Sequence, residues 1–377
     1  MTAVNRVAIV GAGVAGLAAA IQLARAGVTV EVFESKPELS AQGSGITLQG
    51  NALRAFDQLG VWAEIEAAGK AFEGLNLRAP GPGAPIVASL PDLKTGGPDY
   101  PSTMGMSRPD LARILLAAAE RAGAHVTFGA TATGIEQTAD AAELVLDSGP
   151  AGSFDLVIGA DGLNSAVRGL IGIDAKPEPT GMGIWRTFVS LPTDVERSEL
   201  YYGGPMYIAG YTPTGDDTMY AFLVEKAQDR FGVDADESRR IMLEQSRAYD
   251  GPWNAIRADI EAGAGANYTW FTRHLVEGDW NRGRVVIIGD AAHSCPPTIA
   301  QGAAQGLEDA IVLTELLVDR DVIDESLWAE FHARRVPRAS AIVDASVQLG
   351  QWQLDGVRDA DTGGLMFRVA QLTAQPA

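Results

Sequence analysis

Three glycines in the run GAGVAG, Gly11, Gly13 and Gly16, separate a β-branched stretch from an Ala/Leu-rich one. Glycines at this spacing permit a tight turn, close approach of backbone to a pyrophosphate, and close packing of the following helix. The start of that helix, from Ala15 onward, supplies N–H donors and the positive end of a dipole to phosphate groups. About twenty residues on, Glu34 ends a second β-branched run with Ser35 beside it, placed to accept hydrogen bonds from ribose hydroxyls. An acid there disfavours a 2′-phosphate, so the ligand is NAD or FAD rather than NADP. A glycine turn kept only for packing would not need strand, helix and acid in this order.

Two aspartates extend the pattern. The segment FDLVIGADGLNSAVR brings Asp161 to the end of an apolar strand, and RVVIIGDAAHSCPPTIAQGAAQGLEDA does the same for Gly289 and Asp290. Open α/β sheets bind ligands beyond the carboxyl ends of their strands, so both acids are aimed at one crevice. The plain alternative for each is a helix cap or a strand-end acid.

The elements that must position these residues follow from periodicity and turn residues. Residues 6–10, 14–26 and 29–33 read as a strand, a helix and a strand, a βαβ unit that opens a parallel sheet. After a Gly-rich turn at residues 43–45 come a helix at 51–59, short strands and loops to 100, a helix at 109–122, and strands at 126–128, 134–136, 144–146 and 156–158. Between 177 and 279 the pattern turns to alternation, with strands at 185–189, 206–211, 219–224 and 267–273 and one helix at 238–249. A buried strand at 284–288 and helices at 302–317 and 325–345 follow. The expected fold is α/β: a Rossmann-like nucleotide-binding domain from residues 1–75, 101–176 and 280–345, an inserted, mostly antiparallel β-sheet region from 76–100 and 177–279, and a C-terminal helical segment at 346–377.

Composition narrows the function classes. The 377 residues carry 29 Lys and Arg against 48 Asp and Glu, a formal charge of −19 that repels phosphate backbones and anionic membranes. Cys295 is the only cysteine, so neither an intrachain disulfide nor a multi-cysteine metal site can form. The apolar stretch at 7–26 is punctuated by glycines and reads as a strand entering a buried helix rather than an anchor. The expectation is a cytoplasmic monomer or homodimer without nucleic-acid or membrane partners and without a metal.

The three segments, in this order and spacing, resemble the class A flavoprotein monooxygenases, the para-hydroxybenzoate hydroxylase-like family, over nearly the whole chain. The resemblance implies that Gly11, Gly13, Ala15, Gly16, Glu34 and Ser35 hold the ADP half of FAD. It gives Asp161 to a motif serving both FAD and NAD(P)H, and Gly289 and Asp290 to the ribityl chain. Arg108, in MSRPDLARILLAAA, matches an arginine reaching the FAD linker, and Thr47 and Ala132 match backbone or hydroxyl contacts to the cofactor. Ala300, Gly302, Ala303 and Ala304 lead into a helix whose N–H groups face flavin N1 and the C2 carbonyl, stabilising the reduced ring. One departure is that Lys36 is the only base between Glu34 and Arg54, where many relatives carry an arginine. NADH and NADPH are both open as the transient reductant.

The activity so implied is hydroxylation of a small aromatic or heteroaromatic substrate: NAD(P)H reduces FAD, O2 adds to give a C4a-hydroperoxyflavin, and an electron-rich ring takes the distal oxygen. The protein must hold the ring, exclude water and help deprotonate a ring hydroxyl. The pocket is expected between the inserted sheet and the loop of Pro296 and Pro297, with the Pro297 carbonyl near the ring. Tyr211, Tyr220 and Phe222 are its candidate lining, Tyr211 and Tyr220 candidates for assisting deprotonation, and Arg186 the candidate partner of a substrate carboxylate. His293 reads as structural, His274 as a seam residue, and His125 and His332 as surface. Rival readings are a flavin-dependent reductase of a lipid-like substrate and a non-catalytic FAD-binding redox sensor. A flavin-dependent halogenase would need a WxWxIP segment, but Trp185 is followed by Arg186 and Thr187.

Overall fold

A computed structural model describes residues 2–39 and 45–377, so most of the expected turn at 43–45 lies outside the described residues. The architecture is mixed α/β. One six-stranded sheet contains Arg6–Val10 at its centre, flanked by Thr29–Glu34 and His125–Phe128 on one side and by Leu156–Gly159, Val285–Ile287 and Asn281–Arg282 on the other. Every pairing in it is parallel except the last, between Val285–Ile287 and Asn281–Arg282. The helix Val14–Arg25 buries Leu17, Ile21 and Leu23 completely, each contributing roughly 1.5–3 kcal/mol of apolar burial.

The second large sheet has eight strands, and its central pairs are antiparallel: Glu178–Ser190 with Thr218–Lys226 and with Ala266–Leu275, and Ile208–Pro213 with Thr218–Lys226. Its two faces differ. Trp185, Tyr201, Tyr211, Leu223 and Ala221 pack beneath the helices Ala235–Ser246 and Trp253–Glu261. The opposite face carries Ile184, Arg186, Phe222 and Val224, which cross-strand register places together.

Differences from expectation have local causes. The helix Trp253–Glu261 begins right after Gly251 and Pro252, a pair that reads in sequence as a turn; Trp253, Ile256 and Ile260 are buried and hold it in place. The strand expected at 206–211 runs from Ile208 to Pro213. The helix expected to end at 345 continues to Leu354, because its C-terminal part lies across the second sheet: a Cβ on Gly350 would be 3.6 Å from Met182 Sδ. Among the described residues, no helix is long and apolar enough to cross a membrane.

Candidate functional site

The three sequence motifs meet at one sheet edge. A Cβ at Gly11 would lie 2.4 Å from the Ala160 carbonyl oxygen and 2.9 Å from Asp161 Cα, so the glycine turn is pressed onto the segment carrying Asp161. Gly16 is tighter still, 2.1 Å from Gly11 O, which makes it a packing glycine. A Cβ on Gly13 would instead meet only Ala160 O, at 3.9 Å, so this backbone position faces open space. No side chain caps the helix that follows it, and its first N–H groups remain available. That combination suits a pyrophosphate.

Gly289, at φ +59°, packs on the same helix: its Cβ would be 3.0 Å from that of Ala15, and Gly306 approaches both. Asp290 is thereby brought beside the glycine turn. Its carboxylate is open to water yet walled in by protein, as in a cleft, and this enclosure raises its pKa, opposed by His293 and Arg108. Hydrogen-bond donors from a ligand's hydroxyls would relieve that cost.

Other expected cofactor residues have protein partners. Glu34 accepts from the N–H of Ala12 (2.9 Å) and of Lys36 (3.0 Å), bracing the glycine turn, and Ser35 Oγ lies 3.3 Å from it. Asp161 accepts from Ser165 Oγ and the Val167 N–H, capping the helix Ala166–Leu170. Ala132 is buried at the start of its strand, close after Ala130, whose N–H donates to the Glu34 carbonyl. Arg108 starts the helix Arg108–Ala122 and donates to the Gly45 carbonyl at 3.3 Å.

The strand Gly45–Gln49 joins this edge to the second sheet. Thr47 Oγ1 and the Tyr220 hydroxyl are 2.9 Å apart, and the Tyr220 ring lies so close to Gly45 that a Cβ there would be 2.0 Å from it. Phe222 stacks beside Tyr220 with ring centroids 5.6 Å apart. Arg186 stands on the same face and donates to Thr269 Oγ1 at 2.7 Å. Burial and the charge of Arg108 lower its pKa to about 10, with the nearby Tyr220 opposing them, so it is a cation at neutral pH.

Tyr211 is not part of this group. It pairs with Ala221, so it points to the opposite face from Tyr220 and Phe222, where it is fully buried and bonded to Glu199. Burial with Tyr201 and Glu199 around it drives its phenol pKa upward, and its place on the other face keeps it away from Arg186, Tyr220 and Phe222. The alternation of a strand separates 211 from 220; sequence alone does not say which register sets which tyrosine on the face of Arg186.

The histidines fall out as follows. His293 is buried and bonded to Asp309 at 2.7 Å, and His125 is exposed. His274 is buried between Ser294 and Arg168, whose guanidinium also donates to the carbonyls of Ala291 and Leu163. This links the Asp161 segment to the Asp290 turn. Burial, then Arg168, depress the His274 pKa to about 4. His332 departs from its expected surface position: its ring is largely covered and accepts from the Trp280 N–H at 3.0 Å.

Pro296 and Pro297 precede Ala300, a non-glycine residue in the left-handed region (φ +53°), and the helix Gly302–Asp319. Gly302 and Ala303 are accessible at its start, whereas Ala304 is buried. Sequence reading did not single out the residues that hold this bend: Gln49 donates to the Ile299 carbonyl, and the buried Gln301 bonds to Gln49 and Asn51. Their signal, polar residues inside otherwise apolar patterns, acquires meaning only once they are seen to converge.

Known proteins resemble this chain in sequence and in fold. Residues 5–346 match the family described as FAD binding domain. The chain is 31% identical to the aurachin C monooxygenase/isomerase of Stigmatella aurantiaca, covering 92% of this chain and 90% of that protein. It is 32% identical to the 3-amino-4-hydroxybenzoate 2-monooxygenase of Streptomyces cremeus, covering 89% and 84%. In fold it matches Klebsiella pneumoniae HpxO, solved with FAD and uric acid, with a TM-score of 0.84, 21% identity, and coverage of 98% and 97%. The glycine turn that leaves Gly13 open, the cleft acid Asp290 and the family match lead to one conclusion: the chain belongs to the FAD-binding-domain family, as a class A FAD-dependent aromatic monooxygenase.

Proposed function

We propose that this enzyme uses NAD(P)H and O2 to hydroxylate a small, phenol-like aromatic or heteroaromatic ring bearing an anionic group. The observation that carries this reading is Arg186, an enclosed cation whose hydrogen bond goes to a neutral hydroxyl, standing on the same sheet face as Tyr220 and Phe222. An enclosed cation with no acidic partner among the described residues favours an anionic ligand. The relatives named above include an enzyme acting on an aminohydroxybenzoate.

In this reading residues 1–75, 101–176 and 280–345 form the Rossmann-like FAD-binding domain, and 76–100 with 177–279 form an inserted substrate region. Gly11, Gly13, Ala15 and Gly16 receive the pyrophosphate, with Glu34 and Ser35 at the ribose, Arg108 at the linker, Asp290 at the ribityl hydroxyls, and Thr47, Ala132, Asp161 and Gly289 close by. Bound FAD supplies hydride acceptance from NAD(P)H and activation of O2.

The chain's own residues do the rest. The N–H groups at the start of the helix Gly302–Asp319 offer a positive dipole end to the anionic reduced ring without a titrating group. Arg186 anchors the substrate anion, while Phe222 and Pro296 cover the ring and exclude water. The Tyr220 hydroxyl, bonded to Thr47, is placed to accept and relay the proton of a ring hydroxyl, and the Pro297 carbonyl lies near the ring.

The test is to purify the protein, record its visible spectrum, and follow NADH and NADPH oxidation in air over carboxylated and neutral phenols and heteroaromatics, with product masses. Bound flavin and a product heavier by one oxygen atom, favoured for the anionic rings, are expected. Bound flavin without an oxygenated product would sink the hydroxylase reading.

A further inference from the structure

Glu308 is buried in the helix Gly302–Asp319, and its carboxylate accepts four hydrogen bonds from three side chains. It accepts from Asn51 Nδ2 at 3.0 Å, from Arg335 at 3.0 Å, and from Arg338 at two positions, both 2.8 Å. Burial raises its carboxyl pKa, but Arg338, Arg335 and Asn51 outweigh that and hold it below the ordinary value.

From Glu308 the chain of contacts runs in two directions. Inward, Asn51 Nδ2 also donates to Gln301 Oε1 at 3.0 Å, and Gln301 Nε2 returns a bond to Asn51 Oδ1 at 3.1 Å. Gln301 is completely buried and sits between the left-handed Ala300 and the first residue of the helix. That conformation is unfavourable for a residue with a Cβ, so neighbours must over-determine it. Outward, Arg338 donates to the carbonyls of Leu372 and Gln375 at 2.6 and 3.0 Å. Arg54 donates to the carbonyls of Thr373, Ala374 and Gln375 at 3.2, 3.0 and 3.1 Å. These carbonyls lie at and just past the C-terminal end of the helix Thr362–Ala374, where intrahelical partners run out, Leu372 also accepting from the Gln375 N–H, and where guanidinium groups complement the dipole.

We propose that residues 372–375 act as a latch that sets the backbone of residues 299–304, with Arg338, Glu308, Asn51 and Gln301 as positioning residues between them. This rests on the reading that residues 300–304 face the flavin. The mechanism is geometric. With the tail carbonyls bound, Arg338 is held on Glu308, Glu308 orients the Asn51 amide, and that amide orients Gln301 at the bend. Without them, Arg338 is free to turn toward water, and the bend loses one side of its clamp.

The test compares the full chain, a chain ending at Gln371, Asn51→Ala, and the double variant. In the protein without cofactor, hydrogen exchange at the amides of residues 301–305 should quicken about tenfold on truncation. With FAD bound, the preference for reduced flavin should fall about tenfold, read as a two-electron midpoint potential lower by about 30 mV. The two changes should be strongly non-additive, because they cut one chain of contacts. A folded truncated protein with full-chain exchange and potential, or strictly additive effects, overturns the latch. Should the truncated chain not fold, Arg54→Ala in the full chain replaces it: faster exchange at 301–305 supports the latch, and unchanged exchange overturns it. Gln301→Leu separates the two readings. If it shifts the potential while truncation does not, only the latch fails; if neither shifts it, the flavin-facing assignment of this backbone fails as well.

Discussion

Thr47 and Tyr220 stand 173 residues apart in the chain, yet their hydroxyl oxygens are 2.9 Å apart. This bond ties the strand Gly45–Gln49 to the face of the second sheet that carries Arg186 and Phe222. Tyr220→Phe removes one internal hydrogen bond of about 1 kcal/mol, so folding stability should fall by about that amount in a denaturant melt. The proton role is tested separately: pH dependence of substrate-stimulated flavin oxidation identical to that of the unchanged protein would take Tyr220 off the proton path.

Arg186→Ala should weaken binding of carboxylated or phenolate rings roughly tenfold to a hundredfold, the scale of a charge-assisted hydrogen bond. Binding of neutral analogues should change little. Equal losses for both sets, measured as dissociation constants by flavin absorbance changes, would assign Arg186 to packing instead.

The two nearby glycines should separate folding from cofactor binding. Gly16→Ala puts a Cβ 2.1 Å from a main-chain oxygen and should destabilise the protein by about 3 kcal/mol or more. Gly13→Ala has room in the protein itself, so its apoprotein should unfold within about 1 kcal/mol of the unchanged one while FAD affinity drops at least roughly tenfold. Denaturant melts of both apoproteins with FAD titrations decide it; undiminished FAD affinity in Gly13→Ala would move the pyrophosphate elsewhere.

His274 makes folding stability depend on pH. Its imidazole titrates at about 4 in the folded chain against 6.5 ordinarily. Between those values the unfolded chain takes up a proton that the folded chain refuses, so stability falls as pH drops through the window and levels off below about 4. The contribution is at most about 3 kcal/mol. In His274→Gln the decline of unfolding free energy between pH 6.5 and 4 should be shallower by that group's share, and an unaltered slope would contradict the assignment.

The parts legible in the sequence were those that depend on local order. GAGVAG before a helix, Glu34 at the end of the next strand, and aspartates 161 and 290 after apolar runs each announce themselves, because turn geometry and strand ends constrain nearby residues directly. Their convergence followed from a general property of parallel sheets. The pocket was less legible. Tyr211 and Tyr220 look equivalent on paper, since each lies in an alternating strand, and only the register between strands shows that they face opposite sides.

The sequence by itself determined the glycine turn and the strand-end acids, because short-range spacing decides what such residues can touch. Only the tertiary structure decided which aromatic shares a sheet face with Arg186, that Arg186 has no acidic partner among the described residues, and that Gln49, Asn51, Gln301 and Glu308 form one network with the C-terminal turn. Those contacts join residues tens to hundreds of positions apart. Strand register and helix docking, set by burial over the whole fold, place them together, and no local pattern encodes that sum.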